Sequence, residues 1–524
     1  MSTPRIYLVG GGIASLSSAY FLIEDARVAA ANIHILEQAE VMGGSLDGSG
    51  SPEEGYLIRG GRMFEEHMLN LWDFLAGIPT LRDPRKSVKD EIFDFNQLLV
   101  SNARCRLVKG STEKVDVSSY GFDAHDRADL LRLVLTPEGL LGDKAIEDWF
   151  SPHFFETPFW FLWRTTFAFQ SWSSLAEMRR YFLRFVHLFP EFHRLGGILR
   201  TQHNQYDSII KPATKWLEKQ GVRFLPNTIV DDVCFEVDGG RKRATEFRYV
   251  QDGVAGRTMI GEGDYVFITL GSIPAASSIG SWDEPAVQRG KEAAPAWLLW
   301  DRIAQQSPDF GHPAVFDDRL EQSRWQSCTF TLRNPRFFEF MEAFTGNVAG
   351  TGGLVTLTES SWLLSFFLPH QPHFLNQPED VWVFWAYGLF PDRNGDFVRK
   401  EMLDCTGREI MVELLQHLKL ENEIDDLTRD ASAVPCIMPF AHSEFQPRKK
   451  GDRPAVVPEG AENFAFLGQF TEIPNDVVYT VEYSVRSARM AVYSLFDVGK
   501  EMPGVYAGMK DLRVLREAAR AMWR

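Results

Sequence analysis

A chain of 524 residues, 44% hydrophobic and 24% charged, has the balance of a globular protein and the length for two or three domains. Its formal net charge of −16 argues against nucleic acid as the main partner, because phosphate backbones are bound by basic surfaces. Five scattered cysteines without a C-x-x-C pair point to a reduced, cytoplasmic protein with no thiolate metal site, and no apolar run approaches the ~20 residues of a membrane span.

The first predicted elements lie in "RIYLVGGGIASLSSAYFLIED" (5–25), a strand, a glycine turn and a helix with no signal peptide ahead of them. This is the opening of a dinucleotide-binding βαβ unit. Gly10 makes the turn, Gly12 lets the backbone approach a pyrophosphate, and Ser15 is small enough at the third fingerprint position. The following strand, "NIHILEQ", ends in Glu37, 25 residues after Gly12, where a carboxylate accepts from a ribose 2′-OH and disfavours a 2′-phosphate. "MGGSLDG" (42–48) adds a glycine pair soon after that acid, as in FAD proteins of the glutathione-reductase type.

"RGGRMFEEH" (59–67) combines glycines and arginines that suit an anion or a flat ring with an apolar Met63–Phe64 pair. The segment 153–189 is dense in aromatics. From Ser173 its apolar residues (Leu175, Met178, Phe182, Phe185, Val186) fall at helical spacing, a stripe more typical of a core than of a cofactor site, with Tyr181 beside it.

Further strands are predicted at 222–233, 264–273, 352–374, 380–390 and 462–472, with a helical pattern from about 481. The H-x-x-H of His370 and His373 lacks a third ligand, so no metal site is expected. "PRKKGDRP" (447–454) reads as a solvated basic turn, open to an acidic ligand or lipid headgroups. At 508–524 a basic amphipathic helix shows Leu512, Leu515, Ala519 and Met522 on one face. Docking on the protein itself or lying on a membrane surface are its two readings.

These pieces predict an α/β protein. Residues 1–50, 190–275 and 455–500 form a discontinuous Rossmann-like FAD domain. Residues 51–190 and 275–455 form an inserted α+β substrate domain, and 500–524 a C-terminal helix. NAD shares the first motif, and the added pieces favour FAD. The expected cofactor contacts are Gly10, Gly12, Ile13, Ala14, Glu37, Gln38, Gly44, Ser45, Val230, Gly271, Gly468 and Thr480.

The stretches "VGGGIASLSSAYFLIED", "ILEQAEVMGGSLDGSG", "RGGRMFEEHMLNLWDFL", "WRTTFAFQSWSSLAEMRRYFLRFVHL", "NQYDSI" and "PRKKGDRPAVVPEGAENFAFLGQFTEIPNDVVYTVEYSVR" resemble the oleate hydratases, once called myosin-cross-reactive antigen proteins. The resemblance covers nearly the whole chain. It implies FAD binding and non-redox addition of water to the cis-9 double bond of unsaturated fatty acids, oleate giving 10-hydroxystearate. It places Arg59, Gly60, Gly61, Arg62 and Met63 against the flavin.

The family motif reads R-G-G-R-E-M-E-x-H, and its fifth residue is the glutamate taken to orient or deprotonate the attacking water. Met63 stands there, Phe64 replaces the methionine, and Glu65 and His67 keep their places. Glu65 is the nearest substitute carboxylate. Tyr181 matches the family's proton donor, Gln205 a glutamine near the substrate carboxylate, and His442 and Ser443 fall among its polar carboxylate ligands. Typical members carry a longer N-terminal extension associated with dimerisation, so a monomer is expected here, with a dimer as the alternative. Two other functions remain open: a flavin oxidoreductase of the amine oxidase or desaturase type, and a fatty-acid-binding flavoprotein with weak activity.

Overall fold

The computed structural model describes residues 4–110 and 113–523. Five parallel strands form its nucleotide-type sheet, in the order Phe464–Leu467, Tyr265–Thr269, Ile6–Val9, Ile33–Leu36, Arg223–Leu225. The central one, Ile6–Val9, is a continuous apolar run buried throughout, as expected of a strand covered on both faces. Helices Ile13–Glu24 and Val481–Leu495 pack on each other against the sheet. A three-stranded antiparallel meander, Thr228–Asp238, Arg241–Gln251 and Val254–Met259, follows the edge strand.

A second, mixed sheet has eight strands among the described residues. At its centre Trp325–Leu332 pairs antiparallel with both Trp382–Gly388 and Ser432–Met438. The hairpin Gly48–Ser51/Gly55–Ile58 stands on this sheet. Tyr56 N and Ile58 N each donate 3.1 Å to the hydroxyls of Thr331 and Thr329. The hairpin therefore delivers Arg59–Glu65 into the space between the two sheets. There Phe64 is pinned by a two-way backbone bridge to Leu199, at 2.9 and 2.8 Å.

Three features depart from the sequence reading. In the helix Leu175–Arg184 the charged Glu177, Arg180 and Arg184 are buried as fully as the apolar stripe, because each finds an internal counter-charge. The same pairing buries Arg448 and Arg453 of the supposedly solvated basic turn: each donates 2.8 Å to Glu177 Oε1. The terminal helix, Leu512–Met522, docks through Ala518 and Ala521 on Val186–Arg194. Of its predicted apolar face, Met522 packs on the core and Leu515 is half-buried, while Ala519 is exposed and Leu512 is 81% exposed. No helix among the described residues is long and apolar enough to cross a membrane.

Candidate active site

A long groove runs along the carboxyl ends of the parallel strands, where ligands of open α/β sheets bind. Gly10 has φ +98°, in the left-handed region that glycine tolerates. Gly11 is glycine for space: a Cβ there would lie 2.5 Å from Met42 Sδ. A Cβ on Gly12 would meet nothing within 4 Å, so this backbone is bare toward the groove. Behind it the helix Ile13–Glu24 starts without a side-chain cap, leaving first-turn N–H groups for an anion. Thr269 Oγ1 is buried at the groove without a partner.

Glu37 accepts from Gly11 N at 2.5 Å and Ala39 N at 2.8 Å. Burial pushes its carboxyl up, against those backbone bonds. An open phosphate cradle with a carboxylate at its far end fits a dinucleotide with a free 2′-hydroxyl. Gly10, Gly12, Ile13, Ala14, Glu37, Gln38, Gly44, Ser45, Arg59, Val230, Gly271 and Gly468 all line the groove. Sequence reasoning missed Asp47, Gln469 and Ser484. All three lay inside quoted stretches, and the Asp47 carboxylate takes Arg59 Nε at 2.7 Å.

Arg62 Nη2 donates 3.2 Å to Ser45 O and joins the groove to two internal chambers. The chambers meet at a neck of Gly61, Arg62, Met63, Thr166 and Tyr479. One is walled by aromatics, including Trp163, Phe167, Phe185 and Phe192, and contains Tyr181. The other is more polar, with Arg200, Thr201, Gln205, His370 and His373. Met63 opens onto both. Gly60 lines neither groove nor chambers and packs beside Trp385. Thr480 caps the helix Val481–Leu495 and faces the aromatic chamber instead of the groove. His442 and Ser443 line neither chamber: His442 is buried with its ring 5.4 Å from Trp325, which forms the chamber wall. Their expected direct contact with substrate is corrected on that ground.

Tyr181 is 1% exposed, and its hydroxyl donates 2.6 Å to Val478 O. Burial raises its pKa well above 10, and the nearby Glu444 and Glu177 carboxyls add to the shift. The phenol therefore stays protonated at any physiological pH.

Glu65 does not replace the missing carboxylate. Its Oε1 takes Arg184 Nη2 at 2.7 Å, and its Oε2 takes His67 N at 2.8 Å, His67 Nδ1 at 3.0 Å and His187 Nε2 at 3.2 Å. Burial alone would raise its pKa. The His187 hydrogen bond and the Arg184 charge outweigh that and hold it at about 2, too low for a base. Glu65, His67 and His187 could bring ligand atoms to a metal, but Arg184 already supplies the cation. A different carboxyl, Glu444, is fully buried with both oxygens unpaired, and burial pushes it up to about 8.

The profile of the MCRA family matches residues 3–493 of the chain. An oleate hydratase from Streptococcus pyogenes serotype M49 (strain NZ131) is 38% identical over 523 residues, covering 98% of this chain and 88% of that protein. A linoleate hydratase from Lactiplantibacillus plantarum is 30% identical over 535 residues, covering 94% of each. Among solved structures, an Exiguobacterium sp. 255-15 protein assigned as a protoporphyrinogen oxidase superposes with a TM-score of 0.50 at 13% identity, over 94% of this chain and 99% of that one. The PF1083 protein from Pyrococcus furiosus does so with a TM-score of 0.50 at 12% identity, over 95% and 99%. At such identities these two structures speak for a shared fold.

Proposed function

The chain belongs to the MCRA family, and we propose that it binds FAD and adds water across the cis-9 double bond of oleate to give 10-hydroxystearate. Fatty acid hydration is the activity its relatives carry across nearly the whole length of this chain. The observation that carries the finer reading is a single arrangement. A cradle bare at Gly12 is joined through Arg59–Met63 to an aromatic chamber whose wall holds one deeply buried phenol, Tyr181. Gly10–Ala14, Glu37, Ser45 and Arg59 are the residues that would hold FAD. When bound, it supplies a planar, redox-capable ring, whereas hydration consumes no electrons. Incubation with oleate and reduced FAD tests the reading: the product should be heavier by one water, and unchanged oleate would reject it.

In this reading Tyr181 gives its Oη proton to one alkene carbon as a water oxygen bonds the other. The proton lost by that water returns to the phenolate oxygen, so H and OH are added and the tyrosine is restored. The weak acidity of the phenol requires the two bonds to form together, since no free phenolate is stable in this setting. The aromatic walls exclude bulk water and hold the alkene, and Met63, a thioether, packs at the neck without accepting a proton.

Two expected results follow from the charges. Glu37→Ala removes both the ribose acceptor and the brace on Gly11 N. FAD affinity should fall about tenfold or more, since a charged hydrogen bond is worth roughly 1.5–3 kcal/mol. A fluorescence titration with native affinity would take Glu37 out of the site.

The second concerns Glu444. Its folded pKa, about 8, lies above the ordinary 4.5. Its contribution to stability is therefore complete below pH ~4.5 and is lost as pH rises through about 8. Once ionised, it also places an anion near Tyr181 and makes loss of the phenolic proton harder. Hydration should decline above about pH 8, and Glu444→Gln should flatten that limb. The same decline in Glu444→Gln would exclude Glu444 as its source.

A further inference from the structure

The polar chamber holds a half-buried cation without a counter-charge. Arg200 Nη1 donates to the carbonyls of Gly352 and, at 3.4 Å, Gly350, which fixes the guanidinium at the chamber wall. Its backbone is clamped from both sides by Asn96, at 3.0 and 2.7 Å. The Nε and Nη2 donors bond to no protein group among the described residues. The fully buried Arg180, Arg184, Arg453 and Arg486 differ: each has a carboxylate oxygen within 2.8 Å. Arg106, also without an acid, spends every nitrogen on Leu354 O, Phe192 O and Thr166 Oγ1.

Nothing else in the chamber neutralises Arg200. His370 and His373 are kept neutral by burial, His373 at about 3, and both ring nitrogens of His373 are unpaired. Thr201 and Gln205 are uncharged. The second cation on the chamber, Arg62, is turned to Ser45 O, with its guanidinium 5.6 Å from the Tyr479 ring centroid. Burial lowers the Arg200 pKa to about 10, so it remains charged at neutral pH. A charge drawn partly out of water, with free donors, gains from an anion that meets it. Two free N–H groups on a planar guanidinium match a carboxylate.

We infer that Arg200 anchors the carboxylate of the fatty acid, whose chain crosses the neck at Gly61–Met63 into the aromatic chamber. The inference rests on the hydratase reading and deepens it. A fixed anchor sets how much chain lies between the acid group and Tyr181, and so selects the double bond by its position counted from the carboxyl end.

The test compares oleate with oleyl alcohol, which keeps the chain and lacks the charge, by calorimetric titration of the FAD-loaded protein. The native protein should bind oleate at least about tenfold more tightly than the alcohol, the size of one charge-assisted hydrogen bond. Arg200→Gln should lose that preference while still binding the alcohol, which also reports an intact cavity. Arg200→Lys, which keeps the charge, should retain most of it. An Arg200→Gln protein that still prefers oleate overturns the anchor and leaves the hydratase reading standing. Should Arg200→Gln bind neither ligand, Arg200→Lys decides: alcohol binding without preference for the acid overturns the anchor. A native protein that binds neither ligand refutes the hydratase reading and the anchor with it.

Discussion

Tyr181→Phe is expected to lower the hydration rate by roughly 10²–10⁴-fold, the contribution of a positioned acid, while oleate and FAD bind near native levels. The substitution keeps the ring that packs 5.0 Å from both Phe167 and Phe169 and removes only the hydroxyl. It also leaves Val478 O without its buried donor, a stability cost of about 1–3 kcal/mol that a melting curve would register separately. The loss should fall in kcat, because the proton is needed only in the transition state. Met63→Leu serves as the contrast: a side chain of similar volume at the same neck should change KM and packing but leave the chemistry. Near-native turnover by Tyr181→Phe would remove the phenol from the mechanism.

The largest stability loss is expected at Glu177, one helical turn before Tyr181. Its carboxylate is fully buried and meets Arg448 and Arg453 at 2.8 Å. Burial alone would raise its pKa, and the charges of Arg453, Arg448 and Arg180 bring it down to about 2. Glu177→Ala strands Arg453 and leaves Arg448 only Glu472, at 3.3 Å, and breaking such a cluster costs about 3–5 kcal/mol. The damage is local to the chemistry. Ser174 N donates 2.7 Å to Phe445 O, and the Phe445 ring lies 6.0 Å from that of Tyr181, so the cluster locks the tyrosine's helix to the 444–453 loop. Turnover should fall together with the midpoint of unfolding. Glu177→Gln, which keeps one acceptor, should lose less. A Glu177→Ala protein with native stability would mean that the arginines are solvated in solution.

Gly10 and Gly12 were legible because their requirement is local: a left-handed φ and a bare backbone ahead of an uncapped helix need no distant partner. Glu37 was legible for the same reason, through its fixed spacing from the turn. The Glu177 cluster was not, since its arginines lie 271 and 276 residues away and read in isolation as a solvated basic turn. Arg200 was invisible because only the fold reveals that no acid reaches it.

His442 and Ser443 were placed in the site by the family resemblance, and neither lines the chambers; the His442 ring packs 5.4 Å from that of Trp325. Glu65 failed as a substitute base for an electrostatic reason. Its position two residues from Met63 was plain in the sequence, but Arg184 and His187, which do most to suppress its basicity, come from 119 and 122 residues downstream. The terminal helix was read as amphipathic; it docks on Val186–Arg194 chiefly through Ala518 and Ala521, with Met522 of the predicted face partly buried beside them.

The central claim, water addition without net redox chemistry, is tested most directly by running the reaction on oleate in H2¹⁸O and, separately, in D2O, with the flavin absorbance followed throughout. The account predicts a hydroxylated product carrying one ¹⁸O from solvent in the first case and one carbon-bound deuterium in the second, with the flavin in the same redox state before and after many turnovers. A product that carries no solvent oxygen, or whose formation consumes one equivalent of reduced or oxidised flavin per turnover, would contradict it.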